Sequence, residues 1–526
     1  MFSYKKNTSV LLLIFIFIVL TAFNINKAFH IDDTFHLEAA QLIQQNHEKA
    51  MHGLINWYGT SSPLYSFNQP PLFFYLLAIY TNIFGFSEIS LHILMSIFVL
   101  ISLIAFNKII NSLNVKNKHY LLVLFGLSTP LIVNQNVMTD IPILSLILFS
   151  CYYSLVALNP DKKHYYWFSA ILLSLGIMIK YSTLPFLGAL GLIIILRKDY
   201  KYLLAFLIPI SVILTWSFFN YFDYGSVHIL DRPANSFHPK IVTSFLICIG
   251  AISPFSLAFI SAYKPFKNTD NKLYAVIAIG LVWILWSLYS PIKYQLQKIV
   301  LVVLFGINGL IALSPIYSRL LMLIKTRNKN SVLSPHPDIF IYAISICTFL
   351  VLFAPFMATR HILLLLPFLL ILGDPLFTHA GKAIKYISII TSVALGLALG
   401  ISDWHFANFY RVVQNKLQLP MHKNIYYTGH WGWQWYANKN KLKQFDANYS
   451  KLKPGDYLIY PSQVTRYPLP DSIPKKLVLA YYEQPGIETF FYVSNAGLYA
   501  SGNRNPVWCL LHTPIDTIKV YKVTEE

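Results

Sequence analysis

Two adjacent carboxylates, Asp32 and Asp33, stand in the run Phe-His-Ile-Asp-Asp-Thr-Phe-His-Leu-Glu, directly after the first apolar segment. Acidic groups at the edge of a bilayer are costly to place and are usually functional. An ionised carboxylate here can take a proton from an attacking group. The plain structural alternative is capping of the helix expected over 34–45. Asp140, in Asn-Gln-Asn-Val-Met-Thr-Asp-Ile-Pro, can orient a reactant or a cation, or cap a helix that starts Ile141-Pro142. Lys180 and Arg360 fall at the ends of apolar segments. There they can hold an anion through charge-assisted hydrogen bonds or merely snorkel to the surface. His228 can bind a divalent metal ion, although a lone loop histidine is more often simply exposed.

The elements that position these residues are membrane helices. The chain has 526 residues, 56% hydrophobic and 12% charged, with a mean hydropathy of +0.52. Soluble domains carry about 25% charged residues, and the apolar runs are long enough to span a bilayer. The net charge of +19 does not point to nucleic acid, because Lys and Arg lie mostly in short loops between apolar segments. Of the four cysteines, Cys151, Cys248 and Cys347 are in apolar segments and Cys509 is alone in the tail, so no disulfide framework is expected. Lys5 and Lys6 followed by the apolar run 10–23, with no small-x-small site after it, read as a retained first span.

The segment 71–86 is too short to cross comfortably and is expected to lie flat on the outer surface. Spans are then expected near 88–112, 119–134, 141–158, 165–180, 183–196, 202–221, 241–262, 273–290, 297–318, 338–357, 361–377 and 384–402. This placement puts sixteen Lys and Arg in cytoplasmic loops and eight outside, in keeping with the positive-inside rule. It yields about thirteen transmembrane helices in residues 1–402 of a multi-pass plasma (inner) membrane protein, with 29–87 as the first outer loop. It also gathers Asp32, Asp33, Asp140, Lys180, His228 and Arg360 on the outer face. Residues 403–526 are polar and rich in Tyr and Trp, with Lys-Pro-Gly-Asp at 453–456. β-like runs at 457–460, 477–482, 490–493 and 518–523, and a helix opening in 431–436, predict a small α/β domain outside the cytoplasm.

In this order and on this side of the membrane, the motifs resemble the polyprenyl-phosphate-sugar-dependent glycosyltransferases. These are family 39, which includes protein mannosyltransferases and the bacterial aminoarabinose transferases of lipid A. The resemblance is carried by Asp32-Asp33, by Gln69-Pro70-Pro71-Leu72-Phe73-Phe74-Tyr75 and by Phe84-Gly85-Phe86-Ser87-Glu88. Asp140-Ile-Pro-Ile, the 176–185 segment with Lys180, Arg360-His361 and the run Gly429 to Tyr436 extend it. It implies a GT-C fold whose first outer loop holds juxtamembrane helices. Where family members often have Asp-Glu and Glu-Lys, this chain has Asp32-Asp33 and Asn68-Gln69.

The resemblance also implies a reaction: inverting transfer of a sugar from a polyprenyl-phosphate donor to an envelope acceptor (lipid A or lipopolysaccharide, a glycan or a protein) on the outer face. A lipid-phosphate leaving group needs charge stabilisation, while the acceptor hydroxyl needs a base. A glycosidase would need two carboxylates. Asp32 is expected as the base, Asp33 and Asp140 as its catalytic neighbours, and Lys180, Arg360 and Gln69 as donor-phosphate contacts. A divalent cation is the candidate cofactor, with His228 as its ligand. Membrane lipids are partners and nucleic acid is not. The alternatives are a polysaccharide ligase or polymerase, or a lipid-linked sugar transporter, for which mid-span charges and inverted repeats would be expected.

Overall fold

The computed structural model describes residues 2–525, except 233–238, 263–293, 326–336, 418–423 and short stretches of the C-terminal region (466–468, 470–471, 484–485, 487–490, 493–497, 500–505 and 511–513). The expected span 273–290, the loop residues Lys264, Lys267, Lys272, Lys293, Arg327 and Lys329, and the ends of the run 490–493 lie outside the described residues.

The chain is mostly helical, with a mixed sheet near its C-terminus. It opens with α1 (Phe2–Asn24), α2 (Asp33–Gln45), α3 (Leu72–Phe84) and α4 (Glu88–Ser112), followed by α5 (Asp140–Val156), α6 (Tyr165–Ile179) and α7 (Leu184–Leu196). Further on come α8 (Thr359–Leu372) and α9 (Lys382–Val412). α4 starts where local chemistry dictates: the Ser87 side chain accepts from the Ser90 amide at 3.2 Å, with Glu88 in the first turn.

α3 is a short apolar helix. Thirteen residues reach only ~20 Å, against a hydrocarbon core of ~30 Å, and Gly85 at φ 73 ends it. Phe73, Phe74, Leu77 and Ala78 are buried, while Ile79, Ile83 and Phe84 are exposed. Its buried face packs on α2, where Gln44 donates to the Ala78 carbonyl and to Thr81 Oγ1, both at 2.9 Å.

Among the described residues, three helices are long and apolar enough to cross a membrane: 88–112, 200–224 and 382–416. The number is up to five if two bent pairs each count as one span. The other expected spans are shorter or broken. Residues 119–134 divide into Lys118–Gly126 and Thr129–Val133 around Ser128, whose side chain caps the second piece. Residues 241–262 bend by 82° between Lys240–Ala251 and Leu257–Ala262, and 297–318 bend by 45°. Long helices were expected from apolar composition, but Pro, Ser and Gly at these breaks interrupt the backbone ladder.

The C-terminal region forms a five-stranded mixed sheet, preceded by the hairpin of β1 (Leu54–Asn56) and β2 (Ser61–Pro63) between α2 and α3. Its strands are β3 (Ile425–Tyr427), β4 (Lys443–Gln444), β5 (Tyr457–Pro461), β6 (Lys475–Tyr482) and β9 (Thr517–Val523), in the order β4-β3-β5-β9-β6. A small pair, β7 (Phe491–Tyr492) and β8 (Cys509–Leu510), stands apart. β3 runs parallel to β4, and α10 (Gly432–Lys439) crosses over between them. The composition change at 403 is not a helix end, because α9 continues to Val412 and carries Asp403 inside it.

Candidate active site

The turn His30-Ile31-Asp32-Asp33 closes on itself. The Asp33 amide donates to the His30 carbonyl at 3.1 Å, and the His30 amide donates to Asp33 Oδ2 at 2.7 Å. Ile31, buried, sits at φ 49. A β-branched residue there is strained, at about 1–3 kcal/mol. Asp32 occupies the cap position of α2 yet makes no side-chain cap bond. Its carboxylate turns instead to Arg360, with Nη1 donating to Oδ2 at 2.8 Å. The capping alternative therefore does not describe Asp32.

The two carboxylates occupy different environments. Asp32 retains 23% side-chain exposure, whereas Asp33 is fully buried with Oδ2 held by the His30 amide. Burial works to raise the pKa of Asp32, but the charge and hydrogen bond of Arg360 outweigh it and hold Asp32 below the usual carboxylate range. Burial raises Asp33 to about 8, so it is protonated at neutral pH. Asp32 can meet a reactant; Asp33 shapes the turn.

A second pair stands beside the first. Asp140 opens α5 and is buried; Lys180 follows α6 and donates to Asp140 Oδ1 at 2.7 Å. Among the described residues, Asp140 Oδ2 and Arg360 Nε have no hydrogen-bond partner. The four charges lie within electrostatic range of one another and sum to zero. An incoming anion would meet two cations already positioned by carboxylates.

Two further residues were expected at this site, Gln69 and His228. Gln69 lies in the loop before α3 and is bonded to none of the four charges. His228 has both ring nitrogens engaged: Nδ1 with Tyr181 Oη at 2.8 Å and Nε2 with the Phe67 carbonyl at 2.9 Å. Nε2 must carry the proton it gives to the carbonyl, and the remaining lone pair on Nδ1 faces the Tyr181 hydroxyl, so neither nitrogen is open to a metal ion in this arrangement. Among the described residues, no group of three His, Cys, Asp or Glu side chains could hold one. With Arg232, which donates to the His228 and Ser66 carbonyls at 2.9 and 3.1 Å, His228 instead fastens its loop to the segment before Pro70.

Other residues were missed. His36 lies one helical turn after Asp32, its Nδ1 on the Asp32 carbonyl at 2.7 Å, and burial lowers its pKa to about 4. The i, i+4 spacing could have drawn attention to it. Nothing local announces the buried network beneath the turn. Lys27 Nζ donates to Asp403, to Asn136 Oδ1 at 2.7 Å and to the Val133 carbonyl at 3.1 Å. Tyr499 Oη donates to Asp403 Oδ2 at 2.8 Å.

The C-terminal region also holds the turn directly. The Phe29 amide donates to Tyr436 Oη at 2.9 Å, and Thr34 Oγ1 donates to the Trp431 carbonyl at 2.6 Å. The Thr359 amide, next to Arg360, donates to the Leu498 carbonyl at 3.0 Å. Gly432 permits this approach, since a Cβ there would stand 2.2 Å from the Phe29 carbonyl oxygen.

Residues 68–218 match the family described as dolichyl-phosphate-mannose-protein mannosyltransferase. The matched stretch holds Asp140 and Lys180 but neither Asp32 nor Arg360. Among solved structures, the chain is similar to ArnT from Cupriavidus metallidurans bound to undecaprenyl phosphate. The identity is 10% and the TM-score 0.48, over 88% of this chain and 93% of that one. It is also similar to the archaeal oligosaccharyltransferase AglB from Archaeoglobus fulgidus in complex with an inhibitory peptide and a dolichol-phosphate. There the identity is 10% and the TM-score 0.48, over 87% of this chain and 70% of that one. No curated protein matches the chain.

Proposed function

We propose that this chain is a polyprenyl-phosphate-sugar-dependent glycosyltransferase, as the match of residues 68–218 to the dolichyl-phosphate-mannose-protein mannosyltransferase family supports, and that it moves one sugar to an envelope acceptor on the outer face of the membrane. The observation that carries the reading is the partly exposed Asp32 carboxylate, held by Arg360 beside the Asp140–Lys180 pair. The acceptor hydroxyl oxygen attacks the anomeric carbon as the bond to the phosphate oxygen breaks. Asp32 receives the hydroxyl proton, and the polyprenyl phosphate leaves with the bonding electrons. Attack from the face opposite the leaving group inverts the anomeric configuration.

Arg360 and Lys180 stabilise the phosphate charge that grows as the bond breaks, Arg360 with donors beyond the one it gives to Asp32. Asp140 holds Lys180 in place, and buried Asp33 fixes the turn that aims Asp32. Gln69, in the loop before α3, is a further donor-phosphate contact in this reading. In the same reading, residues 1–402 form the membrane-embedded catalytic unit with about thirteen crossings, some of them broken or short, in the inner membrane. Residues 403–526 form the outer domain.

The test is transfer from purified polyprenyl-phosphate sugar by Asp32→Asn, with donor affinity measured alongside. Asn keeps the size and removes the basicity, so turnover should fall by about 10² to 10⁴ while donor affinity stays. Near-normal turnover would remove Asp32 as the base, and a product of retained configuration would point to a covalent sugar intermediate instead.

A further inference from the structure

The first outer loop and the C-terminal sheet enclose a cleft of ≈ 270 Å³ that is separate from the four charges. Asn56, Trp57 and Tyr58 line it from the β1–β2 hairpin; His430, Gln444 and Phe445 line it from the other side. Its walls are tied together. Asn56 Nδ2 donates to the Phe445 carbonyl at 3.1 Å, Gln444 Nε2 to the Asn56 carbonyl at 2.8 Å, and the Ala447 amide to the Gly59 carbonyl at 3.0 Å.

We infer that this cleft binds a neutral saccharide unit of the acceptor. Two observations carry the inference, which rests on the glycosyl-transfer reading above. First, among the described residues the lining holds no Asp, Glu, Lys or Arg, which favours a neutral ligand over a phosphate. Second, aromatic rings and amides are interleaved in it, the combination that receives a ligand with an apolar face and hydroxyls at its edge. The volume lies just under the range of about 300–1,000 Å³ usual for small-molecule sites. That suits a ring-sized unit rather than a lipid tail or a peptide.

The cleft also has a route to the chemistry. The Trp57 ring packs edge-on against Phe35 at 5.7 Å and against His430 at 5.5 Å. Phe35 lies in the first turn of α2, the helix that Asp32 and Asp33 begin. Through Trp57 and Phe35 the cleft wall is continuous with the helix that Asp32 and Asp33 begin.

The test is saturation-transfer NMR on the full chain in nanodiscs, without donor, using mannotriose, chitotriose and cellotriose as probes and glucose 6-phosphate as the charged control. At least one trisaccharide should bind saturably and more tightly than the control. Two variants change the cleft without entering the core: Tyr58→Ala removes a ring that is 38% exposed, and Ala447→Trp fills the space from an exposed position. Each should weaken binding by about tenfold or more with an unchanged melting temperature, and Asp32→Asn should leave it unchanged. The inference is overturned if no trisaccharide binds at millimolar concentration, if the control binds better, or if both variants bind as the parent does. Failure of the glycosyl-transfer reading would show separately, as normal turnover in Asp32→Asn with saccharide binding intact.

Discussion

Replacing Lys27 by Met removes the cation from the buried network beneath the His30–Asp33 turn. The side chains of Lys27 and Asp403 are 2% and 1% exposed, so the Asp403 carboxylate would be left deep in the protein without its counter-charge. Breaking a buried pair from one side costs about 3–5 kcal/mol. Asp403 would keep the bond from Tyr499 Oη at 2.8 Å. A hydrogen bond to a charged group contributes about 1.5–3 kcal/mol, which places the expected loss in the lower half of that range. Adding Asp403→Asn removes the stranded charge, so the double variant should regain about 2 kcal/mol over Lys27→Met, a coupling of the size expected for residues in direct contact. The assay is chemical unfolding in detergent micelles for the parent, both single variants and the double variant, with transfer activity measured on each. Activity should fall in Lys27→Met and recover in part in the double variant, because Lys27 anchors the chain just ahead of His30 and Asp32. A Lys27→Met protein as stable as the parent, or no recovery from the second change, would refute the claim that this charge pair holds the turn.

Gly432→Ala should loosen the contact between α10 and the turn, since the added Cβ would stand 2.2 Å from the Phe29 carbonyl oxygen; an overpacking cost of about 1–3 kcal/mol and lower turnover are expected in the same unfolding and transfer assays. Asp33 has its folded pKa raised to about 8, so the stability tied to its proton is present below the unfolded value of about 3.9 and is lost as pH rises through about 8. The melting temperature of the parent should therefore fall across that window, and Asp33→Asn, which keeps an acceptor for the His30 amide, should flatten the fall; parallel profiles would contradict the assignment. For the outer placement of the C-terminal domain, Tyr449→Cys at a position 71% exposed, in a background without the native cysteines, should react with an impermeant maleimide in intact, outer-layer-permeabilised cells; labelling only after lysis of the inner membrane would reverse the topology.

Local pattern was enough for much of the scaffold. α4 covers the expected 88–112, because Ser87 and Glu88 supply a start signal and the apolar run supplies the length. α6 ends at Ile179, just before Lys180. β5, β6 and β9 cover the expected strands at 457–460, 477–482 and 518–523, and α10 forms where Trp431 to Tyr436 pointed to a helix. These signals lie within a few residues of what they specify, through caps, periodicity and turn chemistry. Asp32 stood out for the same reason: an acidic pair beside an apolar segment is costly wherever the chain goes next.

The tertiary structure decided what each charge does. Asp32 and Arg360 are 328 residues apart, Lys27 and Asp403 are 376 apart, and Asp140 and Lys180 are 40 apart. No short-range spacing encodes such partners. Asp32 and Asp33 are indistinguishable by type, yet one faces Arg360 and keeps its charge while the other is buried against the His30 amide and holds a proton. Composition treated Asp403 as the start of a polar tail, and the fold buries it in α9 against Lys27. His228 looked available for a metal until the fold gave both its nitrogens partners. A residue's type fixes which protons and charges it can carry, but burial and the opposing charge set its pKa and reach, and both come from chain segments brought together only by folding.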